Sequence, residues 1–282
     1  LGIHSCTVGV PILLEELEAA GMLGEEPLDA LQIELKEAFT KNRGYWAPFL
    51  DGLLRLSPEF FEAYLKISSV PWLTGPLEPK VKEFMYIAID ASTTHLYSMG
   101  TRIHMQNALR QGATEEEIFE VLALTSGLGI HSCTVGVPIL MEELASAGML
   151  EEVPPNESLD ARQLALKETF TKNRGYWAPF LDGLLQLSPE FFEAFLDISS
   201  VPWISGPLEP KVKEFVYIAI DAATTHLYEP GLRQHIKNAI GHGASKEELM
   251  EVLQLATAIG VHTMTDSVPI LVQEAAAQKK SA

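Results

Sequence analysis

Lys80-Val81-Lys82-Glu83-Phe84 returns 131 residues later as Lys211-Val212-Lys213-Glu214-Phe215. Thr40-Lys41-Asn42-Arg43-Gly44-Tyr45-Trp46 returns at the same offset as Thr171-Lys172-Asn173-Arg174-Gly175-Tyr176-Trp177. A fixed period this long exceeds that of solenoid repeats, so it signals duplicated domains rather than a stacked array. Leu1 to Pro11 also reappears unchanged as Leu128 to Pro138, and a diverged version, Ile259-Gly260-Val261-His262-Thr263-Met264, lies near the end. This segment closes each complete unit. The expected organisation is therefore a first domain over 28–150 and a second over 159–280, each with its own core. Residues 1–23 are then the terminal helix of an incomplete preceding repeat, or an N-terminal docking helix. Gly24 to Pro27 and Glu151 to Ser158, with Pro154-Pro155, read as linkers.

Inside the unit, helix signals are dense and strand signals nearly absent. Ser57 before Pro58 is a capping side chain followed by Pro at the first helical position. Phe60, Phe61, Tyr64 and Leu65 follow as an apolar stripe. A helix is expected from about Lys80 to Thr94, with Phe84, Ala88 and Ala91 on one face and Glu83, Ile87, Asp90 and Thr94 aligned on another. Thr114 with Glu117 forms a capping box for a further helix. Gly127 and Gly129 interrupt the pattern before His131, and a last amphipathic helix is expected from about Pro138 to Ala147. The fold class is all-α, with short connections.

Composition bounds the function. With 47% hydrophobic and 21% charged residues over 282 positions, the chain reads as a globular protein. The net charge of −18 repels polyphosphate and argues against nucleic acid. No continuous apolar run is long enough to suggest a membrane span. Cys6 and Cys133 occupy one repeat position and suggest no disulfide framework. A reducing, cytoplasmic setting is expected.

Seven of the eight histidines fall on three repeat positions: His95/His226, His104/His235 and His4/His131/His262. The third position is informative, because its most diverged copy replaces Ser132, Cys133 and Gly136 by Thr263, Met264 and Ser267 yet keeps the histidine. Imidazole titrates near neutrality, so such a cluster suits general acid–base work, with Glu83 or Glu214 as carboxylate partner. His95, His104 and His131, and likewise His226, His235 and His262, also suit Zn, Fe or Mn, so a divalent metal is an alternative; no other cofactor is expected. Arg102 and Arg233, or Arg43 and Arg174, are candidate clamps for a substrate carboxylate. A third alternative is a non-catalytic oligomeric scaffold in which the histidines pack between subunits.

Glu83 through Pro138 resembles the carboxymuconolactone decarboxylase and alkylhydroperoxidase D superfamily. The resemblance is carried by Lys82-Glu83-Phe84-Met85-Tyr86-Ile87-Ala88-Ile89, His104 with Asn107-Ala108-Leu109, Gly112-Ala113-Thr114, and Glu120-Val121-Leu122. It implies two tandem alkylhydroperoxidase D-like helical domains assembling into a homotrimer or a multiple of it. It also implies a site near subunit contacts that takes a small-molecule substrate, and maps the family's glutamate on Glu83 and Glu214 and its histidine on His104 and His235. The peroxidase branch carries a C-x-x-C pair where this chain has Tyr97 and Gly100, and Tyr228 and Gly231. Without paired thiols peroxidase chemistry is not expected. The expected activity is a non-redox decarboxylase, lyase or isomerase. Its catalytic residues are Glu83, His95, His104 and His131 with Glu214, His226, His235 and His262, and its substrate-binding residues are Arg102, Arg233, Tyr97 and Tyr228.

Overall fold

The computed structural model describes residues 27–149 and 159–262, with 264, 265, 267, 268, 270 and 271. The expected helix within 1–23 lies outside them. The first unit runs α1 (Ala30–Arg43), a 3-10 turn (Pro48–Leu50), α2 (Asp51–Leu56), α3 (Pro58–Thr74), α4 (Pro79–Ala91), α5 (Ser98–Arg110), α6 (Glu115–Ser126), a 3-10 turn (Gly127–Ile130) and α7 (His131–Ser146). The second repeats it as α8 (Ala161–Arg174), a 3-10 turn (Pro179–Leu181), α9 (Asp182–Leu187), α10 (Pro189–Ser205), α11 (Pro210–Ala222), α12 (Glu229–Gly241), α13 (Lys246–Ala258) and a 3-10 turn (Ile259–Val261). Helix resumes at His262. No strand occurs among the described residues.

The local signals explain most boundaries. Ser57 accepts a hydrogen bond from the Phe60 amide and Pro58 opens α3. Thr114 and Glu117 form the reciprocal capping box of α6. Two boundaries differ from expectation. Helix α4 stops at Ala91 because Ser92 turns extended, which frees the next residues to fold back. Helix α7 begins at His131 rather than near Pro138, and Pro138 sits inside it.

Helices α4 and α11 bury almost every side chain, Glu83 and Asp90 included. With no polar face to give to solvent, they pack on each other, so the units share one central core holding Phe84, Ile87, Phe215 and Ile218. Only smaller outer cores, around Phe39 and Phe61 and around Phe170 and Phe192, belong mainly to one unit. The expectation that each repeat closes around its own core is thus replaced by an interlocked pair.

Two buried ion pairs fasten the pair together. Lys82 Nζ lies 2.7 Å from Glu251 Oε1, and Lys213 Nζ lies 2.8 Å from Glu120 Oε1. Glu251 Oε2 accepts from the Leu77 amide at 2.7 Å, and Glu120 Oε2 from the Leu208 amide at 2.6 Å. Each pair joins opposite units and clamps α13 against α3–α4, or α6 against α10–α11. Gly75 and Gly206 make the approach possible, since a Cβ at either would stand within 2.1 Å of the opposing carboxylate. The run Glu115–Ser146 is apolar enough to span a membrane by composition alone, with mean hydropathy 1.4. Here α6 instead buries Ile118, Val121 and Leu124 in the shared core.

Candidate active site

Because α6 and α13 pack on the opposite unit as well as their own, the segment after each helix is delivered to the opposite unit. His262 therefore reaches His95, with Nδ1 to Nε2 at 2.8 Å, and His131 reaches His226 at 2.7 Å. This corrects the sequence-based grouping: His131 does not join His95 and His104, nor does His262 join His226 and His235. The first site combines Glu83, His95 and His104 with His262; the second combines Glu214, His226 and His235 with His131. Offset counting along the chain assigns each terminal segment to the unit it closes, whereas packing assigns it to the opposite unit.

Each site is built around a short carboxylate–imidazole contact. His104 Nδ1–H donates to Glu83 Oε2 at 2.6 Å, and His235 Nδ1–H to Glu214 Oε2 at 2.6 Å. All four side chains are buried. The carboxylate occupies Nδ1 and leaves Nε2 facing inward. Tyr86 stacks on His104 and Tyr217 on His235, both with centroids 4.5 Å apart, which fixes the ring planes. Asn238 Nδ2 donates to Glu214 Oε1 at 3.1 Å.

Tyr97 and Tyr228 are placed as site residues, though as supports for the histidines. The Tyr97 ring stacks on His262 at 4.1 Å and its hydroxyl meets Thr265 Oγ1 at 3.0 Å. Tyr228 does the same to His131 at 3.9 Å and donates to Thr134 Oγ1 at 2.6 Å. The turn before each tyrosine carries a leucine, Leu96 or Leu227, at φ 52°, a left-handed conformation uncommon outside glycine and asparagine. That backbone turns His95 and Tyr97 inward together while Leu96 faces solvent.

Arg102 and Arg233 are not in the sites. Both are exposed, and Arg233 is engaged with Glu229 one helical turn away. The α5 and α12 faces that bury His104 and His235 leave a residue two positions earlier on the outside. The buried arginines are Arg43 and Arg174, from the copied Lys-Asn-Arg-Gly-Tyr-Trp run. Arg43 lies among Phe39, Tyr45, Trp72 and Tyr86, and its Nε has no hydrogen-bond partner. Arg174 repeats this arrangement. Burial works against the Arg43 charge, but Tyr86, Tyr45, Tyr64 and Glu83 outweigh it and hold the guanidinium firmly protonated.

Asp90 and Asp221 were missed as site residues. Asp90 is fully buried; its Oδ1 stands 3.6 Å from His262 Nδ1 and 3.9 Å from His95 Nε2, and its Oδ2 stands 3.9 Å from His104 Nε2. Neither carboxylate oxygen has a hydrogen-bond partner, and the same holds for Asp221. Burial, with a smaller push from Glu83 or Glu214, raises both aspartates to about 8. Burial and the neighbouring imidazoles lower His131 and His262 to about 3, so both rings are neutral. The available signal was the position of Asp90 two helical turns from Glu83, closing the apolar run Ile87-Ala88-Ile89. Gly100 completes the fit: a Cβ there would lie 2.1 Å from Asp90 Oδ2. Gly231 is equally tight against Asp221, at 2.3 Å. The position that bears a thiol in the peroxidase branch is thus taken up by a buried carboxylate.

A cavity in the first site is lined by Arg43, Tyr45, Tyr64, Tyr86, His104 and His262 and has about 20 Å³ of room for water. Its repeat, with Arg174, Tyr176, Tyr217, His131 and His235 on its wall, has about 40 Å³. These spaces hold a water or two, so a ring compound enters only by displacing lining side chains. A larger hollow of about 530 Å³ lies on α1, beside Leu28, Lys36 and Lys41, and none of its lining residues belongs to either site.

The comparisons agree with this architecture. The pattern of the carboxymuconolactone decarboxylase family matches residues 58–127 and 189–272, more than half of the chain. The chain belongs to the carboxymuconolactone decarboxylase family. It is also similar to a crystal structure from Burkholderia xenovorans, described as a candidate γ-carboxymuconolactone decarboxylase subunit. Sequence identity is 45% and the TM-score 0.83, over 89% of this chain and 98% of that one. No curated protein matches the chain. Family membership supports a decarboxylase-like role in general terms.

Proposed function

We propose that the chain is a non-redox acid–base enzyme, of decarboxylase, lyase or isomerase type, acting on a small carboxylated or lactone compound within a homo-oligomer. The observation that carries this is the 2.6 Å Glu83–His104 contact, repeated at Glu214–His235, which holds each histidine on the wall of a cavity it shares with a buried arginine. The carboxylate fixes the imidazole tautomer, and Nε2 then gives or takes a proton at substrate carbon. In a decarboxylation the C–C electron pair stays on the substrate as carbon dioxide leaves; His104, entering the step as the imidazolium that Glu83 stabilises, delivers its Nε2 proton to that carbon and is left neutral with Nδ1–H still on Glu83. An arginine on the departing carboxylate would stabilise the ground state instead. Arg43 and Arg174 therefore act on a carbonyl or second carboxylate, where enolate charge develops.

The test is carbon dioxide release from γ-carboxymuconolactone and related carboxylated lactones, in wild type and in the His104→Gln/His235→Gln double variant. Loss of at least ~100-fold in turnover with an unchanged circular dichroism spectrum is expected, the range general acid–base groups supply. Retained turnover in the double variant overturns the assignment.

A further inference from the structure

We propose that Asp90, His95 and His262 form a binding site for one divalent transition-metal ion of the zinc or ferrous class, and that Asp221, His226 and His131 form a second. Neither site depends on the acid–base reading above. Two imidazoles and a carboxylate are a donor set such ions favour, and all three donor atoms at each place lie within 4.8 Å of one another.

Asp90 is the decisive residue. Its two oxygens are buried without a hydrogen-bond partner, and the imidazole nitrogens of His262, His95 and His104 stand 3.6, 3.9 and 3.9 Å from them, beyond hydrogen-bonding reach. Ionised, the group has no donor; protonated, its O–H has no acceptor in range. Neither protonation state satisfies it, and an unsatisfied buried polar group is a standing cost in a native fold. A cation placed between Asp90 and the two imidazoles removes that cost. The same unsatisfied aspartate occurs at the repeated position, beside His131 Nδ1 at 3.8 Å and His226 Nε2 at 3.9 Å.

The separations are close to what coordination requires. Tetrahedral ligands at zinc distances of about 2.0–2.1 Å stand roughly 3.3 Å apart. The first site shows 2.8 Å between its imidazole nitrogens and 3.6 and 3.9 Å from each to Asp90. The His95 and His262 rings lie nearly coplanar and head to head, with an interplanar angle of 9°. Binding would therefore exchange one imidazole–imidazole hydrogen bond for two metal bonds. Each ring must turn to bring a lone pair onto the ion, the ring that donated the hydrogen bond moving its proton to its other nitrogen, while Asp90 gives up any proton it carries to solvent and moves in by a fraction of an ångström. The stacked Tyr97, itself tied to Thr265, limits His262 to such a turn. His104 Nε2 stands 3.9 Å from the far oxygen of Asp90, so one carboxylate lies between the proposed ion and the proposed acid–base histidine.

The experiment uses untagged full-length chain, stripped with a chelator and titrated with Co²⁺ as a spectroscopic probe and with Zn²⁺ as competitor. Two Co²⁺ per chain are expected, with visible bands of tetrahedral or five-coordinate intensity that Zn²⁺ erases. His262→Asn should halve the stoichiometry, and Asp90→Asn/Asp221→Asn should abolish it. His104→Gln/His235→Gln should keep both ions, which separates this proposal from the acid–base one. Absence of saturable binding to wild type by Co²⁺, Zn²⁺, Fe²⁺ and Mn²⁺ overturns it without reference to any variant. Two ions retained by a folded Asp90→Asn/Asp221→Asn protein overturn it as well.

Discussion

Glu251→Gln tests how the sites are assembled. Lys82 and Glu251 are 4% and 1% exposed, and Lys82 Nζ also donates to the Pro71 carbonyl at 2.6 Å. The amide is nearly isosteric and can still accept from the Leu77 amide, so what is removed is the charge opposite Lys82. Breaking a buried pair from one side costs about 3–5 kcal/mol, because it strands an uncompensated ion. At roughly 2–4 °C per kcal/mol for chains of 150–250 residues, and near the low end for this length, the midpoint should fall by about 6–10 °C. Differential scanning calorimetry reads this directly. Glu62→Gln is the comparison, since the exposed Lys66–Glu62 pair at 2.6 Å should be worth under ~1 kcal/mol. Lys82→Met/Glu251→Leu should recover much of the loss, because apolar replacement of a buried pair is often neutral or stabilising. Glu251 also anchors the helix that leads into His262, so amide exchange over 259–265 should quicken in the Gln variant. A midpoint shift no larger than that of Glu62→Gln would refute the reasoning.

Three further outcomes rest on the same geometry. Gly100→Ala should destabilise by about 1–3 kcal/mol, as its Cβ meets Asp90 and Tyr97, whereas Gly127→Ala has open space and should be near neutral in denaturant melts. Leu96→Gly should be neutral or mildly stabilising, reversing the usual sign for Leu→Gly, because an exposed side chain is exchanged for relief of roughly 1–2 kcal/mol of left-handed strain. In chelator-stripped protein, His131 and His262 (about 3 folded against 6.5) make stability rise with pH up to 6.5, while Asp90 and Asp221 (about 8 against 3.8) make it fall from 3.8 to 8. The opposing slopes offset each other below 6.5. Above it only the aspartates titrate, so urea stability should drop between pH 6.5 and 8, and Asp90→Asn/Asp221→Asn should flatten that drop.

The sequence by itself determined the helices, their caps and the duplication, because periodicity and capping are local and are copied along with the residues. Its resemblance to a known family also singled out Glu83 and His104, on the neighbouring helices α4 and α5, and their repeats. Which histidines meet was decided only by tertiary structure. Helices α4 and α11 have no face to spare for water, so they bury each other, and the helices packed over them cross between units. That crossing carries His262 to His95 and His131 to His226, a pairing no spacing along the chain encodes. It also buries Asp90 and Arg43, whose significance lies in lost solvent and missing partners, quantities that exist only once the chain has packed.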